Sequence, residues 1–180
     1  MIITLVRHSK VIEEYQGKYN GHINISLSLE GKKDAKIVGE KLKNITFDRV
    51  FCSDLQRAKE TLEAMSINAD VLFSKELREK SWGKHEGKSF EEIENEGIKY
   101  KNFTQWIDAL DGETTEAFTK RVKEYFYEVI LKQNAQNVLV ITHSGVIKTV
   151  LSITRKISLE EAFAIPLPYS SCITLDTISL

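Results

Sequence analysis

The sequence predicts an α/β fold of three layers, an αβα sandwich in which helices cover both faces of a mostly parallel sheet. Two observations carry this prediction. Strand-like and helix-like segments alternate along the chain, and several of the strand-like segments are continuous apolar runs. Such runs are typical of strands that are buried on both faces. Alternating strands and helices with short connections are most simply accommodated by parallel βαβ units.

The first half of the chain contains three predicted strands, at residues 2–6, 49–52 and 69–73. A loop over residues 9–28 follows the first strand. Apolar residues then recur at helical spacing over residues 29–42, which predicts an amphipathic helix. A second helix is predicted from Ser53 to about residue 65, because Ser53 and Gln56 have the spacing of a capping box.

The second half opens with an irregular stretch over residues 76–112, which is too long for a plain crossover. We expect it to form a helical excursion, or lid, over the carboxyl ends of the strands, with Ser89 and Glu92 capping a short helix. The remaining pattern predicts a long helix around 118–129, a buried strand at 137–142, a helix at 144–153, a short helix opened by Ser158 and an edge strand at 171–178. We therefore predict a single domain over residues 1–180.

The composition is that of an ordinary soluble globular protein. The chain has 180 residues, a formal net charge of −1 and 42% hydrophobic residues, without a long basic run or an apolar stretch that could span a bilayer. We therefore expect neither a nucleic-acid partner nor a membrane partner, and no signal peptide ahead of Ile2. Cys52 and Cys172 lie in strand-like runs and are predicted to be buried free thiols, which suits a cytoplasmic protein.

Charged and imidazole side chains follow three of the predicted strands. Arg7 and His8 come directly after the first strand, Arg57 lies one turn into the helix after the second, and His143 ends the strand at 137–142. Ligands of open α/β sheets bind outside the carboxyl ends of the strands, and helix N-termini favour anions. These residues therefore predict a site for a dianion at one edge of the sheet.

Several sequence blocks carry a resemblance that covers nearly the whole chain. They are Leu5-Val6-Arg7-His8, residues 53–58 with Thr61, Leu77-Arg78-Glu79 with Gly83 and residues 86–87, residues 112–114, and residues 138–146. With them the sequence resembles the histidine phosphatase superfamily, also called phosphoglycerate mutase-like. The early loop most resembles the α-ribazole-5′-phosphate phosphatases of cobamide synthesis, through Gly17, Tyr19, Gly21-His22, Leu27-Ser28 and Gly31.

The resemblance implies a phosphomonoesterase that works through a phosphohistidine intermediate, without a metal ion or cofactor, on a small phosphate ester. His8 would be the nucleophile, with its other ring nitrogen held by a backbone carbonyl, and Glu79 would be the general acid and base. Arg7, Arg57 and a protonated His143 would bind the phosphoryl group. A further substrate-binding set is predicted: Ser9, Asn20, Gly21, His22 and Ser144. The specific substrate suggested is α-ribazole 5′-phosphate.

Some positions depart from the family pattern and leave alternatives open. Ser9 stands where the family usually has Gly, Glu14 where it has a phosphate-binding Asn, and His85 where it has an aromatic residue. Ser53 is predicted to act only as a helix cap. The alternatives are a phosphoglycerate mutase, a phosphatase of phosphohistidine proteins and a non-catalytic sensor of a phosphorylated ligand.

Overall fold

The computed structural model describes residues 1–179 and is built around a five-stranded sheet. The strands are β1 (Ile2–Arg7), β2 (Arg49–Ser53), β3 (Val71–Ser74), β4 (Asn137–Thr142) and β5 (Cys172–Asp176). Their order across the sheet is β3-β2-β4-β1-β5. The first four strands are parallel, and β5 pairs with β1 in the antiparallel direction. The predictions of a mostly parallel sheet and of a C-terminal edge strand are confirmed.

Seven α-helices connect or flank these strands within residues 1–179. They are α1 (Leu29–Leu42), α2 (Gln56–Met65), α3 (Phe90–Glu94), α4 (Phe103–Ala109), α5 (Thr115–Tyr125), α6 (Ser144–Arg155) and α7 (Leu159–Ala164). A π-helical turn, Phe126–Ile130, continues α5. None of the helices in this part of the chain is long and apolar enough to cross a membrane.

Alternate side chains of the central strand β4 pack against opposite layers. Leu139 and Ile141 belong to the apolar cluster that contains the buried faces of α1 and α2. Val138 and Val140 belong to the cluster that contains those of α5 and α6. Because successive side chains of a strand point to opposite faces, this alternation places one helical layer on each side of the sheet. The predicted three-layer αβα architecture is confirmed.

The segment between β3 and α5 is the predicted helical excursion. It contains α3, which opens with the predicted Ser89–Glu92 capping box, and α4. It also has a small apolar cluster of its own, formed by Trp82, Ile93, Trp106, Ile107 and Leu110. This cluster is attached to the early loop, since Trp106 Nε1 donates a hydrogen bond to the Tyr19 hydroxyl over 2.7 Å.

Three local predictions are corrected by the structure. Helix α2 begins at Gln56 rather than at Ser53, because Ser53 remains the last residue of β2 and Leu55 occupies the N-cap position. The third strand runs over Val71–Ser74 rather than over residues 69–73. Cys172 is exposed, because it opens the edge strand β5, whereas Cys52 is buried in β2 as predicted.

Candidate active site

The register of the central strands brings the two candidate histidines together. Arg7 is paired with Thr142 across β1 and β4, so His8 and His143 leave the sheet at the same level. Their ring centroids are 5.1 Å apart, and both side chains are buried. Parallel pairing therefore places the ends of β1 and β4 in one site although 135 sequence positions separate the two histidines.

The His8 ring is held in one tautomer by the backbone. Its Nδ1 lies 2.9 Å from the Ser9 carbonyl oxygen, which can only accept, so Nδ1 carries the proton. This is the backbone contact that the sequence analysis predicted. Burial, with the charges of Arg57 and Arg7, holds the pKa of His8 well below its usual value. The ring is therefore neutral at physiological pH, with its lone pair on Nε2.

His143 is fixed by partners on both ring nitrogens. Arg57 Nε donates to His143 Nδ1 over 3.3 Å, and His143 Nε2 lies 2.8 Å from Ser53 Oγ. Because Nδ1 accepts, the network assigns the proton to Nε2, which donates to the Ser53 hydroxyl. Burial, followed by the charge of Arg57, holds the pKa of His143 well below its usual value. The prediction of a protonated His143 is therefore wrong for this structure, and the prediction that Ser53 only caps a helix is wrong as well.

Arg57 is almost completely buried and is tied to the early loop. Its Nη2 donates to the carbonyl oxygens of Asn20 and Gly21, both over 2.7 Å, and its Nη1 donates to Ile23 O over 2.9 Å. Burial lowers the pKa of Arg57 to about 10, so the group remains charged at neutral pH. Arg57 thus supplies a fixed positive charge and shapes the loop over residues 20–23.

Arg7 has a buried donor that is still free. Its Nη1 donates to the carbonyl oxygen of Leu167, and its guanidinium lies 4.2 Å from the ring centroid of Tyr169. Its Nε is buried and has no hydrogen-bond partner among residues 1–179. An unpaired buried N–H is costly, so this donor indicates a place where an acceptor of a ligand can bind.

The Glu79 carboxylate is held at the N-terminus of α6. The Gly145 N–H donates to Oε2 over 2.9 Å, and the Lys80 N–H donates to Oε1 over 3.1 Å. A helix N-terminus is the end of the helix that attracts an anion. Glu79 is thereby fixed by backbone groups, and it lies on the wall of the cavity that Arg7 and His8 also line.

A cavity of about 150 Å³ collects the central residues. It is lined by Arg7, His8, Lys18, Tyr19, Asn20, Arg57, Glu79, Trp82 and Tyr169. Of the five predicted core residues, four line this cavity, and the fifth, His143, lies behind Arg57 and beside His8. Larger surface grooves exist elsewhere, but none of those found within residues 1–179 is lined by a histidine or an arginine.

Only one member of the predicted substrate-binding set, Asn20, lines the cavity. Gly21 lies close to the Lys80 carbonyl, and the His22 ring contacts the Glu79 carbonyl over 3.0 Å. The Ser9 hydroxyl lies 2.6 Å from that of Ser170, away from the lining, and Ser144 opens α6 without reaching it. The predicted role of these four residues in binding thus has no geometric support.

Two positions that departed from the family pattern also lie outside the lining. Glu14 is exposed on a 3₁₀ turn of the early loop and so places no anion in the cavity. The buried His85 ring contacts Glu96 Oε2 over 3.2 Å and accepts a hydrogen bond from the Asp111 N–H over 2.9 Å. Its role is to join parts of the excursion.

Four residues of the lining were not predicted as site residues: Lys18, Tyr19, Trp82 and Tyr169. For Tyr169 a signal existed. An antiparallel edge strand beside β1 must begin near the point where β1 ends, so the residues ahead of it lie next to Arg7 and His8. Lys18 and Trp82 belong to loops whose paths no pattern in the sequence indicates.

The fold and the site together define an α/β enzyme that acts on phosphate esters. The buried Arg57, the half-buried Arg7, a neutral histidine and a carboxylate surround one cavity at the carboxyl ends of parallel strands. The sequence model of the histidine phosphatase superfamily (branch 1) matches residues 3–179. The chain belongs to this superfamily, and it is a phosphatase of the phosphoric monoester hydrolase class.

The chain is similar to individual phosphatases and also to a mutase. The chain is 31% identical over 160 residues to an adenosylcobalamin/α-ribazole phosphatase of Salmonella typhimurium, covering 84% of this chain and 78% of the relative. It is 28% identical over 182 residues to a 2,3-bisphosphoglycerate-dependent phosphoglycerate mutase 2 of Gloeobacter violaceus, covering 93% and 82%. The crystal structure of an α-ribazole phosphatase from Shigella flexneri superposes with a TM-score of 0.85 at 25% identity, covering 98% and 90%.

Proposed function

We propose that the chain hydrolyses a small organic phosphate monoester through a covalent phosphohistidine on His8, and that α-ribazole 5′-phosphate is its substrate. The observation that carries the proposal is the arrangement of the His8 ring. Its Nδ1 is tied to the Ser9 carbonyl, so Nε2 carries the lone pair in a cavity lined by Arg7 and Arg57. A neutral imidazole of this kind is an effective nucleophile.

The two arginines supply the positive charge that phosphoryl transfer requires. Charge spreads over the three equatorial oxygens in the transition state, and planar guanidinium donors match these oxygens. Arg57 is fixed by three backbone carbonyls, and the free Nε of Arg7 would donate to a phosphoryl oxygen. Because fixed donors need no reorganisation during the reaction, we propose that the enzyme requires no metal ion.

The proposed reaction has two steps. His8 Nε2 attacks phosphorus, the ester P–O bond breaks, and the leaving oxygen takes a proton from the Glu79 carboxyl group. Glu79 then accepts a proton from a water molecule, whose oxygen attacks phosphorus and breaks the P–N bond. The products are the free alcohol, inorganic phosphate and neutral His8. Glu79 thus ends the cycle protonated, as it began. Because the first step needs its protonated form, we expect the optimum at or below neutral pH.

The substrate proposal is supported by relatives and by the rim of the cavity. Relatives in Salmonella typhimurium and Shigella flexneri carry the name of an α-ribazole phosphatase. The cavity of about 150 Å³ is smaller than the roughly 300 Å³ at which typical ligand pockets begin, so the alcohol must extend past its rim. Tyr19 and Trp82 line it as an edge-to-face pair 5.1 Å apart, a surface suited to a planar base. This assignment would place the enzyme in cobalamin biosynthesis.

The test is turnover of α-ribazole 5′-phosphate, with p-nitrophenyl phosphate as a general substrate, by the wild type and by His8→Ala. We expect phosphate release that survives EDTA, an acid-labile phosphoenzyme in rapid-quench samples, and a loss of several orders of magnitude in His8→Ala. His85→Asn removes another buried histidine, outside the cavity lining, and should retain activity. Equal activity of His8→Ala and wild type would contradict the nucleophile assignment. Isomerisation of phosphoglycerate without phosphate release would identify a mutase instead.

Glu79→Gln tests the proton-transfer role. The amide keeps the size of the side chain but cannot deliver or accept the proton, so kcat should fall by about 10²- to 10⁴-fold. Binding of inorganic phosphate should change much less. Unchanged turnover in Glu79→Gln would show that another group transfers the proton.

A further inference from the structure

Four of the five residues in the segment 167–171 contact Arg7, His8 or Ser9. Arg7 Nη1 donates to Leu167 O, and the Arg7 N–H donates to Ser171 O over 3.0 Å. The centroid of the Tyr169 ring lies 4.2 Å from the Arg7 guanidinium and 5.5 Å from the centroid of the His8 ring. The Ser170 N–H donates to His8 O over 3.4 Å, and Ser170 Oγ lies 2.6 Å from Ser9 Oγ. Two proposed phosphoryl-transfer residues are thus held by one short stretch of chain.

The backbone of this segment adopts an uncommon conformation. Ser170 has a φ of 62°, in the left-handed region that side chains other than glycine rarely occupy. Such conformations persist only where surrounding contacts enforce them, and they concentrate at functional sites. Here the hydroxyl of Ser9, which is completely buried, lies 2.6 Å from the hydroxyl of Ser170, and the Ser170 N–H donates to the His8 carbonyl.

We propose that Tyr169 is a positioning residue that sets the plane of the Arg7 guanidinium, and that the Ser9–Ser170 hydroxyl pair holds Tyr169 in place. The proposal deepens the function proposed above and rests on it in one respect, that the ligand carries a phosphoryl group. It also accounts for Ser9, which stands where the family resemblance leads one to expect glycine.

The geometry of a guanidinium group supports this role. All its N–H bonds lie in the plane of the group, so a ring stacked on one face leaves every donor free while it fixes the direction in which they point. Arg7 Nη1 also donates a hydrogen bond to Leu167 O, and this bond prevents the guanidinium from rotating within its own plane. The buried Nε, which has no partner among residues 1–179, is then presented to a phosphoryl oxygen without further rearrangement.

The test is calorimetric binding of inorganic phosphate, which does not depend on turnover. Removing the ring in Tyr169→Leu should raise the Kd by about 3- to 30-fold, the range expected for a partly buried cation–π contact. Tyr169→Phe keeps the ring and should stay within about twofold of the wild type. Tyr127→Leu removes an exposed tyrosine outside the cavity lining and is the matched control. Thermal unfolding of each variant separates a loss of folding from a loss of positioning.

The hydroxyl pair is tested by a double-mutant cycle with the same assay. Ser9→Ala removes one hydroxyl, and Ser170→Gly removes the other while it tolerates the φ of 62°. Each single change should raise the Kd, and the double variant should be no weaker than the weaker single variant, because both act through one hydrogen bond. In turnover assays Tyr169→Leu should raise KM for the ester more than it lowers kcat.

Two results would overturn the proposal: an unchanged Kd in Tyr169→Leu, or equal losses in Tyr169→Phe and Tyr169→Leu, which would assign the effect to the hydroxyl. Additive effects of Ser9→Ala and Ser170→Gly would overturn the role of the pair. A wild type that binds phosphate but hydrolyses no ester would contradict the proposed function alone. A wild type that turns over normally while Tyr169→Leu binds phosphate equally well would contradict the positioning role alone.

Discussion

Gly145→Ala is expected to reduce activity without reducing stability. A Cβ added at Gly145, in the first turn of α6, would lie 2.1 Å from Glu79 Oε1. The carboxylate must then withdraw to the 3.4 Å of an ordinary contact, a displacement of about 1.3 Å. Because a displacement of roughly 1 Å at a reacting group can lower the rate about 100-fold, we expect a similar loss in kcat/KM.

The stability terms of this substitution nearly cancel. Alanine is favoured over glycine inside a helix by about 0.5–1 kcal/mol. Against this gain stands the hydrogen bond from the Gly145 N–H to Glu79 Oε2, whose loss costs about 1 kcal/mol. The obstructing atom is the end of a flexible side chain, so no backbone needs to move. The midpoint of thermal unfolding should therefore stay within a few degrees of the wild-type value.

A double-mutant cycle decides whether the methyl group acts through Glu79. Phosphatase rates are measured for Gly145→Ala, Glu79→Gln and the double variant on one ester. If the added methyl only displaces the carboxylate, the double variant loses no more activity than Glu79→Gln alone. Losses that multiply in the double variant would refute this reasoning, as would a Gly145→Ala enzyme with wild-type kcat/KM.

Three further predictions concern stability and reactivity. The free energy of unfolding should fall as the pH drops from 7 to 5.5, because the folded pKa values of His8 and His143 lie well below the ordinary 6.5 and only the unfolded chain then takes up protons. Urea titrations should show the free energy of unfolding fall by roughly 1 kcal/mol per histidine over this pH range, and a free energy that does not change with pH would contradict the prediction. Ellman's reagent should label Cys172 in the folded protein and Cys52 only after unfolding, since Cys172 is exposed and Cys52 is buried; labelling of folded Cys172→Ser would disprove this. Gly21→Ala should lower the unfolding free energy by about 1–3 kcal/mol and weaken phosphate binding, because the new Cβ would lie 2.3 Å from a backbone oxygen; wild-type values for both would contradict the close approach.

The continuous apolar runs of the strands were sufficient to predict which residues lie at the centre of the candidate site. A buried apolar run followed at once by a polar residue marks both the end of a strand and the edge of the sheet where ligands bind. This holds for Arg7 and His8 at the end of β1 and for His143 after β4, and the parallel register then brings them together. The helices α1 and α6 and the strand β4 also begin where the pattern places them.

The details that the sequence did not reveal depend on tertiary contacts. The charge of His143 is decided first by its burial and then by the charge of Arg57, and no local pattern indicates either. The polar partner of Ser53 is 90 positions away, so its capping-box spacing was misleading. The walls of the cavity come from loops, whose paths depend on single contacts such as that between Trp106 and Tyr19.

Under the proposed function, the excursion between β3 and α5 would contact the alcohol of the ester apart from the residues that act at phosphorus. Its apolar cluster is distinct from the two clusters that flank the sheet, and Trp82 belongs to it while also lining the cavity. Under that function, substitutions inside this cluster would act on Trp82, whereas β1, which carries Arg7, packs in the other two clusters. Divergent evolution would then alter the leaving group that is accepted while the chemistry at phosphorus is inherited unchanged.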